Sequence, residues 1–216
     1  MTGQQDRREP VTRRQDRRAL VRPLAWVALT GLALTVLASL GARHGTVSAP
    51  ERSVFDAING LPDWLYRPMW AFQLLGVLVT PVLIAVVLLV LRRWRPALAL
   101  LLLVPLKLVA ERQILKKLVE RGRPGQTETN PVLRHVPPAG LSFPSGHAIV
   151  AAAVLVILWP YLGRTGRIIA TALAVAVGVA RIYLGAHNPL DVVAGAGLGL
   201  ILGAALTLVV GVHRRP

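Results

Sequence analysis

The sequence has no cysteine and few acidic residues. The absence of cysteine excludes disulfide bonds, cysteine-ligated zinc and thiol catalysis. Only 10 residues are acidic against 25 basic ones, and charged residues make up 16% of the 216 positions, where an average soluble domain carries about 25%. Hydrophobic residues contribute 54%. This balance indicates a chain that folds in a lipid bilayer rather than in water.

The excess of basic residues gives a formal net charge of +15, but the charges lie between apolar runs. A nucleic-acid-binding domain concentrates arginine and lysine on one polar surface, so we expect no nucleic-acid partner. Seven arginines from Arg7 to Arg22 precede the first apolar run. Basic residues collect on the cytoplasmic side of membrane proteins. We therefore expect residues 1–22 to be a solvated, disordered cytoplasmic tail and both termini to be cytoplasmic.

Six apolar segments are candidates for membrane-crossing helices, which need about 20 predominantly apolar residues. Three are free of charge, and three are less uniform. In chain order the predicted spans are about 24–42, 68–91, 97–118, 148–162, 168–184 and 192–212. The sequence thus predicts an all-α fold, an integral membrane bundle of six transmembrane helices over residues 23–216, multi-pass in the plasma membrane.

Polar residues of the less uniform segments fall on the outer side in this topology. An ionisable residue within a span costs about 2.5–3.5 kcal/mol on insertion scales and usually has a function. Lys107 and Glu111 are four residues apart, which predicts an internal ion pair. Arg121 is expected to extend from a helix end into the interface. Arg134 and His135 are expected in a solvated loop.

The first polar motif is Lys116, followed seven residues later by Arg123 and then by Pro124. Seven residues are nearly two helical turns, so both cations share a face if the helix continues that far. Gly122 and Pro124 mark where it must end. Taken alone, the two cations are weak evidence for a site, because lysine and arginine often extend from a helix end to the interface.

The second motif is the tetrapeptide from Pro144 to His147, between a polar loop and an apolar run. Ser145 is a suitable N-cap, and the free amides of the first turn, with Gly146 allowing close approach, can bind a phosphate. His147 would lie beside that phosphate. Without other motifs, this pattern would also fit an ordinary capped helix.

The third motif places His187 six residues after Arg181 and Asp191 four residues after His187. Asn188 followed by Pro189 predicts a helix start. A four-residue step brings side chains together, so Asp191 is expected to reach the imidazole. A carboxylate on one ring nitrogen fixes the tautomer and leaves the other nitrogen free as a nucleophile.

Together the three motifs resemble the signature of the type-2 phosphatidic acid phosphatase and vanadium haloperoxidase superfamily, in its bacterial membrane lipid phosphatase branch. Their order, internal spacing and position at membrane boundaries match from Lys116 to Asp191, and the six-helix layout extends the likeness to nearly the whole chain. One difference is Ala180, because members often carry serine before the arginine of the third motif.

The resemblance implies a metal-independent reaction without a cofactor. His187 would attack phosphorus to form a phosphohistidine, Asp191 would orient His187, and His147 would protonate the leaving group. The resemblance further implies the remaining site residues: Lys116, Arg123, Ser145, Gly146 and Arg181 bind the substrate phosphate, and Pro124 and Pro144 are structural.

The implied function is a membrane lipid phosphatase with its active site on the outer face and a lipid phosphate as substrate. Polyprenyl diphosphate, phosphatidic acid and phosphatidylglycerol phosphate all fit, with a slight preference for the polyprenyl carrier. A phosphotransferase using the same histidine is the alternative; a haloperoxidase fits six spans poorly, and a scaffold leaves the motifs unexplained. Gly195, Gly199 and Gly203 form a small-residue face that allows close helix packing, within the chain or in a homodimer.

Overall fold

The computed structural model describes residues 9–212, with side chains from Val21 onward, and its regular elements are helices. The predicted all-α fold is confirmed for this part of the chain. Its α-helices are α1 (Glu9–Ala42), α2 (Ala49–Asn59), α3 (Tyr66–Leu74), α4 (Val79–Val90), α5 (Trp94–Leu108), α6 (Lys116–Leu118), α7 (Pro124–Thr127), α8 (Gly146–Leu158), α9 (Arg164–Tyr183) and α10 (Pro189–Val210). A π-helix, Val109–Leu115, joins α5 to α6.

The predicted tail lies partly outside the described residues. Helix α1 begins at Glu9 and continues through the end of the predicted tail into the first apolar run. The expectation of a disordered segment up to residue 22 is therefore wrong for the portion that belongs to α1, where the backbone is helical before the apolar residues begin.

Helix α10 is the centre of the bundle and packs against α1, α8 and α5. Small residues let these helices approach closely, because a Cβ added at Gly197 would lie 2.6 Å from the carbonyl oxygen of Gly31 on α1. Thr35 of α1 donates a hydrogen bond to the Gly31 carbonyl at 2.8 Å, which satisfies its buried hydroxyl within the helix. Tight helix contacts of this kind are typical of membrane bundles.

The glycine face of α10 packs against α8 within the chain. A Cβ added at Gly203 would lie 2.8 Å from Cβ of Val156, and one added at Gly195 would overlap the backbone of Ser145. Helix α8 therefore covers the glycine face of α10, for which the sequence had left open packing within the chain or in a homodimer. Intramolecular packing accounts for the four-residue glycine spacing, and the face is not free for a second copy.

Replacing Gly199 by alanine is expected to destabilise the bundle. The new Cβ would lie 2.8 Å from Cβ of Ala152 and 3.1 Å from the backbone nitrogen of Ala153, and overpacking of this kind typically costs about 1–3 kcal/mol. Gly166→Ala in α9 is the matched control, because its Cβ would meet only ordinary contacts with Leu162 at 3.4 Å or more. Thermal unfolding in detergent should show a lower midpoint for Gly199→Ala only; equal midpoints would contradict this account.

The outer surface of the bundle is apolar, as a bilayer requires. Three helical segments among the described residues are long and apolar enough to cross a membrane: Val21–Ala42, Arg164–Tyr183 and Pro189–Val210. The first has a mean hydropathy of 1.9, yet only 22% of its window is buried. Large side chains such as Leu37, 66% exposed, face outward. An apolar surface this extensive is incompatible with water, and the chain is a membrane protein.

The predicted span 68–91 is not a continuous helix. It consists of α3 and α4, and the two helical stretches Asp63–Leu74 and Val79–Val90 are bent by 56°. Counted as one span, this pair would bring the number of membrane-crossing helices to four, while the apolar helix Gly146–Tyr161 is shorter. At the break, Gly76 is buried against His147 of α8 and Val177 of α9.

The predicted span 97–118 changes its helical geometry midway. Helix α5 gives way to the π-helix at Val109, and the helix ends at Leu118. Arg123 therefore does not share a helix with Lys116. The common helical face, which required the helix to continue as far as Arg123, does not form. The chain from Val119 to Gly122 is non-helical and connects to α7, which starts at Pro124.

Candidate functional site

A cavity of about 290 Å³ opens at the end of the bundle where α9 ends and α8 and α10 begin. The three sequence motifs meet here, together with the break between α3 and α4. The lining residues are Gly76, Val77, Leu78, Lys107, Glu111, Lys116, Arg123, Gly146, His147, Arg181 and His187. Four of these side chains are cationic and one is a carboxylate, so the cavity is suited to an anion.

Lys116 is half-buried and is joined by ion pairs to two buried charged residues. Glu111 forms an ion pair with Lys107 and a second one with Lys116, whose Nζ lies 3.1 Å from Glu111 Oε1. In a regular α-helix a five-residue step turns the side chain by about 500°, or roughly 140° away from the starting face. A π-helix has an i to i+5 repeat, which brings Glu111 and Lys116 together. The π-helix thus turns Lys116 into the cavity.

The two arginines of the site come from different elements. Arg123 is the N-cap residue of α7, and its Nη1 donates to the carbonyl of Ala186 at 3.2 Å. Burial lowers the pKa of Arg123, while the charge of Asp191 opposes that shift. Arg181, near the end of α9, donates to the side-chain oxygen of Gln73 on α3. Each guanidinium is held by one of these hydrogen bonds, and both line the cavity.

Helix α8 begins at the cavity wall. Ser145 is its N-cap residue as predicted, but its hydroxyl makes no capping hydrogen bond with any described residue. Ser145 is fully buried and is not part of the cavity lining, unlike Gly146 and His147. Instead the Ser145 amide donates to the backbone carbonyl of Asp191 at 2.9 Å, which ties the first turns of α8 and α10 together.

The two motif prolines lie at or next to helix starts near the site. Pro124 is the first residue of α7 and is buried. Pro144 follows a cis peptide bond from Phe143 and is also buried. Neither proline lines the cavity, and the structural role that the resemblance implies for them stays a prediction.

His187 lies in the loop between α9 and α10, 5% exposed, with Asp191 behind it. Its Nδ1 is 3.6 Å from Asp191 Oδ2, a distance slightly longer than a hydrogen bond. Burial lowers the pKa of His187 to about 4; the Asp191 carboxylate raises it, and Arg181 lowers it. His187 is therefore neutral at pH 7, and its Nε2 is the ring nitrogen not turned toward the carboxylate.

Two expectations about the neighbouring loop were wrong. Arg121 is 0% exposed and binds Glu51 and Asp191 instead of extending to the interface. Arg134 is also buried, because its guanidinium donates to the backbone carbonyls of Asn59 and Tyr183 at 2.8 and 2.6 Å. Neither residue lies in a segment with apolar periodicity, so no local pattern indicated that these loop cations are buried.

Comparison with known proteins places these motifs in a family. The model of the PAP2 superfamily matches residues 70–215, which include every motif described above. Phosphatidylglycerophosphatase B of Bacillus subtilis is 37% identical over 100 residues, covering 42% of this chain and 46% of that protein. Decaprenylphosphoryl-5-phosphoribose phosphatase of Mycobacterium tuberculosis is 35% identical over 103 residues, covering 47% and 55%. The match spans about half the length of these curated relatives.

A solved structure extends the likeness to the fold. The crystal structure of a transmembrane PAP2-type phosphatidylglycerolphosphate phosphatase from Bacillus subtilis superposes with a TM-score of 0.64 at 26% identity, covering 82% of this chain and 94% of that one. The family model covers more than half of the chain and includes the three motifs that form the cavity. On this basis the chain belongs to the PAP2 superfamily.

Proposed function

We propose that this protein is a metal-independent membrane lipid phosphatase that works through a phosphohistidine on His187. The observation that carries the proposal is the cavity, in which a neutral, buried histidine backed by a carboxylate lies among four cations. Membership of the PAP2 superfamily and the phosphatase relatives support the same chemistry.

The cations provide the electrostatic basis of the reaction. The side chains that line the cavity carry an excess of three positive charges, from Lys107, Lys116, Arg123 and Arg181 against the single carboxylate of Glu111. Preorganised cations stabilise the charge of a transferring phosphoryl group, and this stabilisation usually contributes more than any other effect to such catalysis. We propose that Lys116, Arg123 and Arg181, with the Gly146 amide, bind the phosphate oxygens. Ser145 would not contact the phosphate; its backbone amide would hold the start of α8 against the start of α10.

In the first step Nε2 of His187 would attack phosphorus, and the bond from phosphorus to the lipid oxygen would break. His147 also lines the cavity and would give its proton to the leaving oxygen. Asp191 would stabilise the positive charge that develops on the His187 ring. The lipid alcohol, or the lipid phosphate from a diphosphate, would then leave.

In the second step water would attack the phosphohistidine. His147, now neutral, would take the proton of that water, and inorganic phosphate would leave as His187 regains its neutral form. The proton balance closes, because His147 donates one proton in the first step and recovers one in the second. No group outside the chain and water is needed.

The size and position of the cavity support a lipid phosphate as the substrate. A volume of 290 Å³ is close to the lower limit of pockets that enclose a drug-sized ligand, about 300–1,000 Å³. It can take a phosphate head group, while the lipid tail would stay in the bilayer beside the apolar helices. A phosphate or diphosphate of a polyprenyl or phosphatidic acid type lipid is the proposed substrate.

The proposed arrangement has six membrane crossings, with both termini in the cytoplasm and the cavity on the outer face. The basic groups that precede the first apolar run support this orientation. Hydrolysis, rather than transfer to another hydroxyl group, is favoured because the named relatives are phosphatases.

The test is phosphate release by the purified protein in detergent, in the presence of EDTA. The panel contains a polyprenyl diphosphate, phosphatidic acid, phosphatidylglycerol phosphate and a soluble phosphate ester. We expect release from at least one lipid at a rate unchanged by the chelator, because the chain's own cations replace a metal ion. A strict requirement for added Mg²⁺ would contradict the mechanism, and release of a phosphorylated second alcohol instead of free phosphate would identify a transferase.

A further inference from the structure

Arg121 connects helix α2 to the carboxylate behind His187. Its guanidinium donates to both oxygens of Glu51, at 2.9 and 2.6 Å, and to the carbonyl of Thr46 at 3.2 Å. It also donates to Oδ1 of Asp191 at 3.3 Å. Arg121 and Asp191 are 0% exposed and Glu51 is 6% exposed. Arg121, Glu51 and Asp191 form one buried ionic cluster, which we call the Arg121 cluster.

The two oxygens of Asp191 have separate partners. Oδ1 accepts from Arg121, whereas Oδ2 accepts from the backbone amide of Asn188 at 2.9 Å and faces Nδ1 of His187. Rotation of the carboxylate would break both hydrogen bonds at once. The contact with Arg121 therefore fixes which oxygen His187 meets and in which direction.

Glu51 anchors the same helix start as Asp191. One of its oxygens accepts from the backbone amide of Leu190 at 2.9 Å, in the first turn of α10. A helix N-terminus stabilises nearby carboxylates, but two buried carboxylates without a counter-ion would be costly. Burial alone lowers the pKa of Arg121, but the hydrogen bond to Glu51 and the charge of Asp191 raise it above its ordinary value. Arg121 is thus cationic and neutralises part of this charge.

We propose that Arg121 and Glu51 are positioning residues of the active site, which hold Asp191 in the orientation that faces His187. This inference rests on the proposed function, in which His187 is the nucleophile. Neither of these two described side chains lines the cavity, so they act through Asp191 and not on the substrate. Supporting residues of this kind keep a catalytic group in the geometry that the reaction needs.

The proposal predicts a specific tautomer of His187. With Asp191 Oδ2 held toward Nδ1, the proton stays on Nδ1 and Nε2 is free to attack. If the carboxylate is released, the imidazole can populate both tautomers. Misplacement of a reacting group by about 1 Å can cost about 100-fold in rate, so kcat should fall while phosphate binding by Arg123 and Arg181 is retained.

The test uses a variant that preserves the charge of the cluster. Arg121→Met combined with Glu51→Gln removes one positive and one negative charge, and the amide oxygen of the glutamine can still accept from Leu190. We expect kcat to fall by about 100-fold with KM nearly unchanged. Nitrogen-15 NMR of histidine-labelled protein in detergent, with His187 assigned from His187→Ala, should show one tautomer in the native protein and a mixture in the double variant.

Arg121→Lys is the second variant, in case the double variant does not fold. Lysine keeps the charge but lacks the planar fork that binds two carboxylates, so a mixture of His187 tautomers is again expected. Arg134→Met is the matched control, because this buried arginine binds Asp63 and backbone carbonyls but not Asp191. It should lower thermal stability and leave kcat per folded molecule and the His187 tautomer unchanged.

The outcomes separate this inference from the proposed function. A single, unchanged tautomer in the Arg121 variants would overturn the inference, whatever happens to kcat. A mixed tautomer with reduced kcat would support it. If the native protein releases phosphate from none of the lipids, the proposed function fails, and the tautomer measurement still decides whether the Arg121 cluster positions Asp191.

Discussion

Replacing His187 by alanine is expected to reduce phosphate release from the preferred lipid by on the order of 10⁴-fold or more, because loss of the nucleophile in covalent catalysis can cost about 10⁶ in kcat. The substrate should still bind, since the cations Lys116, Arg123 and Arg181 remain in the cavity. The measurement is phosphate release in detergent, together with rapid mixing of lipid labelled with radioactive phosphate and quenching in alkali. The native protein should retain protein-bound label, and the variant should not.

His135→Ala is the matched control for this prediction. His135 is exposed, and its ring lies 5.5 Å from that of Tyr66, away from the cavity lining. Its removal should leave both turnover and labelling unchanged. Equal phosphate release by His187→Ala and the native protein would rule out His187 as the nucleophile. Protein-bound label that persists in His187→Ala would show that another residue is the nucleophile.

His147→Ala should lose activity in a way that depends on the leaving group. General acid catalysis typically contributes about 10²–10⁴-fold, so first-turnover cleavage of phosphatidic acid should fall by that amount. A nitrophenyl phosphate with an alkyl chain on its ring releases a stable anion that needs no proton. Its first-turnover release of nitrophenol should fall by less than about 10-fold, because the acid contributes little to a good leaving group.

Rapid-mixing measurements with both substrates test this prediction. The first turnover isolates bond cleavage from the later hydrolysis of the intermediate, in which His147 would also take part. His187→Ala should lose first-turnover activity on both substrates to the same extent. His135→Ala should keep its activity on both. A loss of the same size on both substrates for His147→Ala would contradict its assignment as the acid and would favour a part in binding.

Several of the proposed site residues could be singled out from the sequence because they lie in local patterns. Pro144 to His147 and the step from His187 to Asp191 are short, and their placement at helix starts follows from capping rules. The structure brings Lys116, Arg123, Gly146, His147, Arg181 and His187 to one cavity, as the resemblance implied. Ser145 differs, since burial beneath the first turn of α8 removes its hydroxyl from the cavity.

Other features could not be predicted from local patterns. The contact of Lys116 with Glu111 depends on the π-helix, and α-helical periodicity turns these two side chains apart. The break between α3 and α4 has no proline in it and lies in an uninterrupted apolar run. A Cβ at Gly76 would lie 2.8 Å from Cβ of His147, so packing against α8 accounts for a glycine at this corner.

Composition and local pattern by themselves determined that the chain folds in a bilayer and is helical, because hydrophobicity and helix capping act over a few residues. They also singled out the residues that we propose to react. The tertiary structure alone decided which charges that are distant in the sequence meet. Arg121 is a loop cation in the sequence, and only the packing of α2 against the start of α10 buries it between Glu51 and Asp191. The contact between α8 and α10 likewise covers the glycine face of α10 within the chain. Long-range contacts of this kind depend on the whole arrangement of helices, which no local pattern specifies.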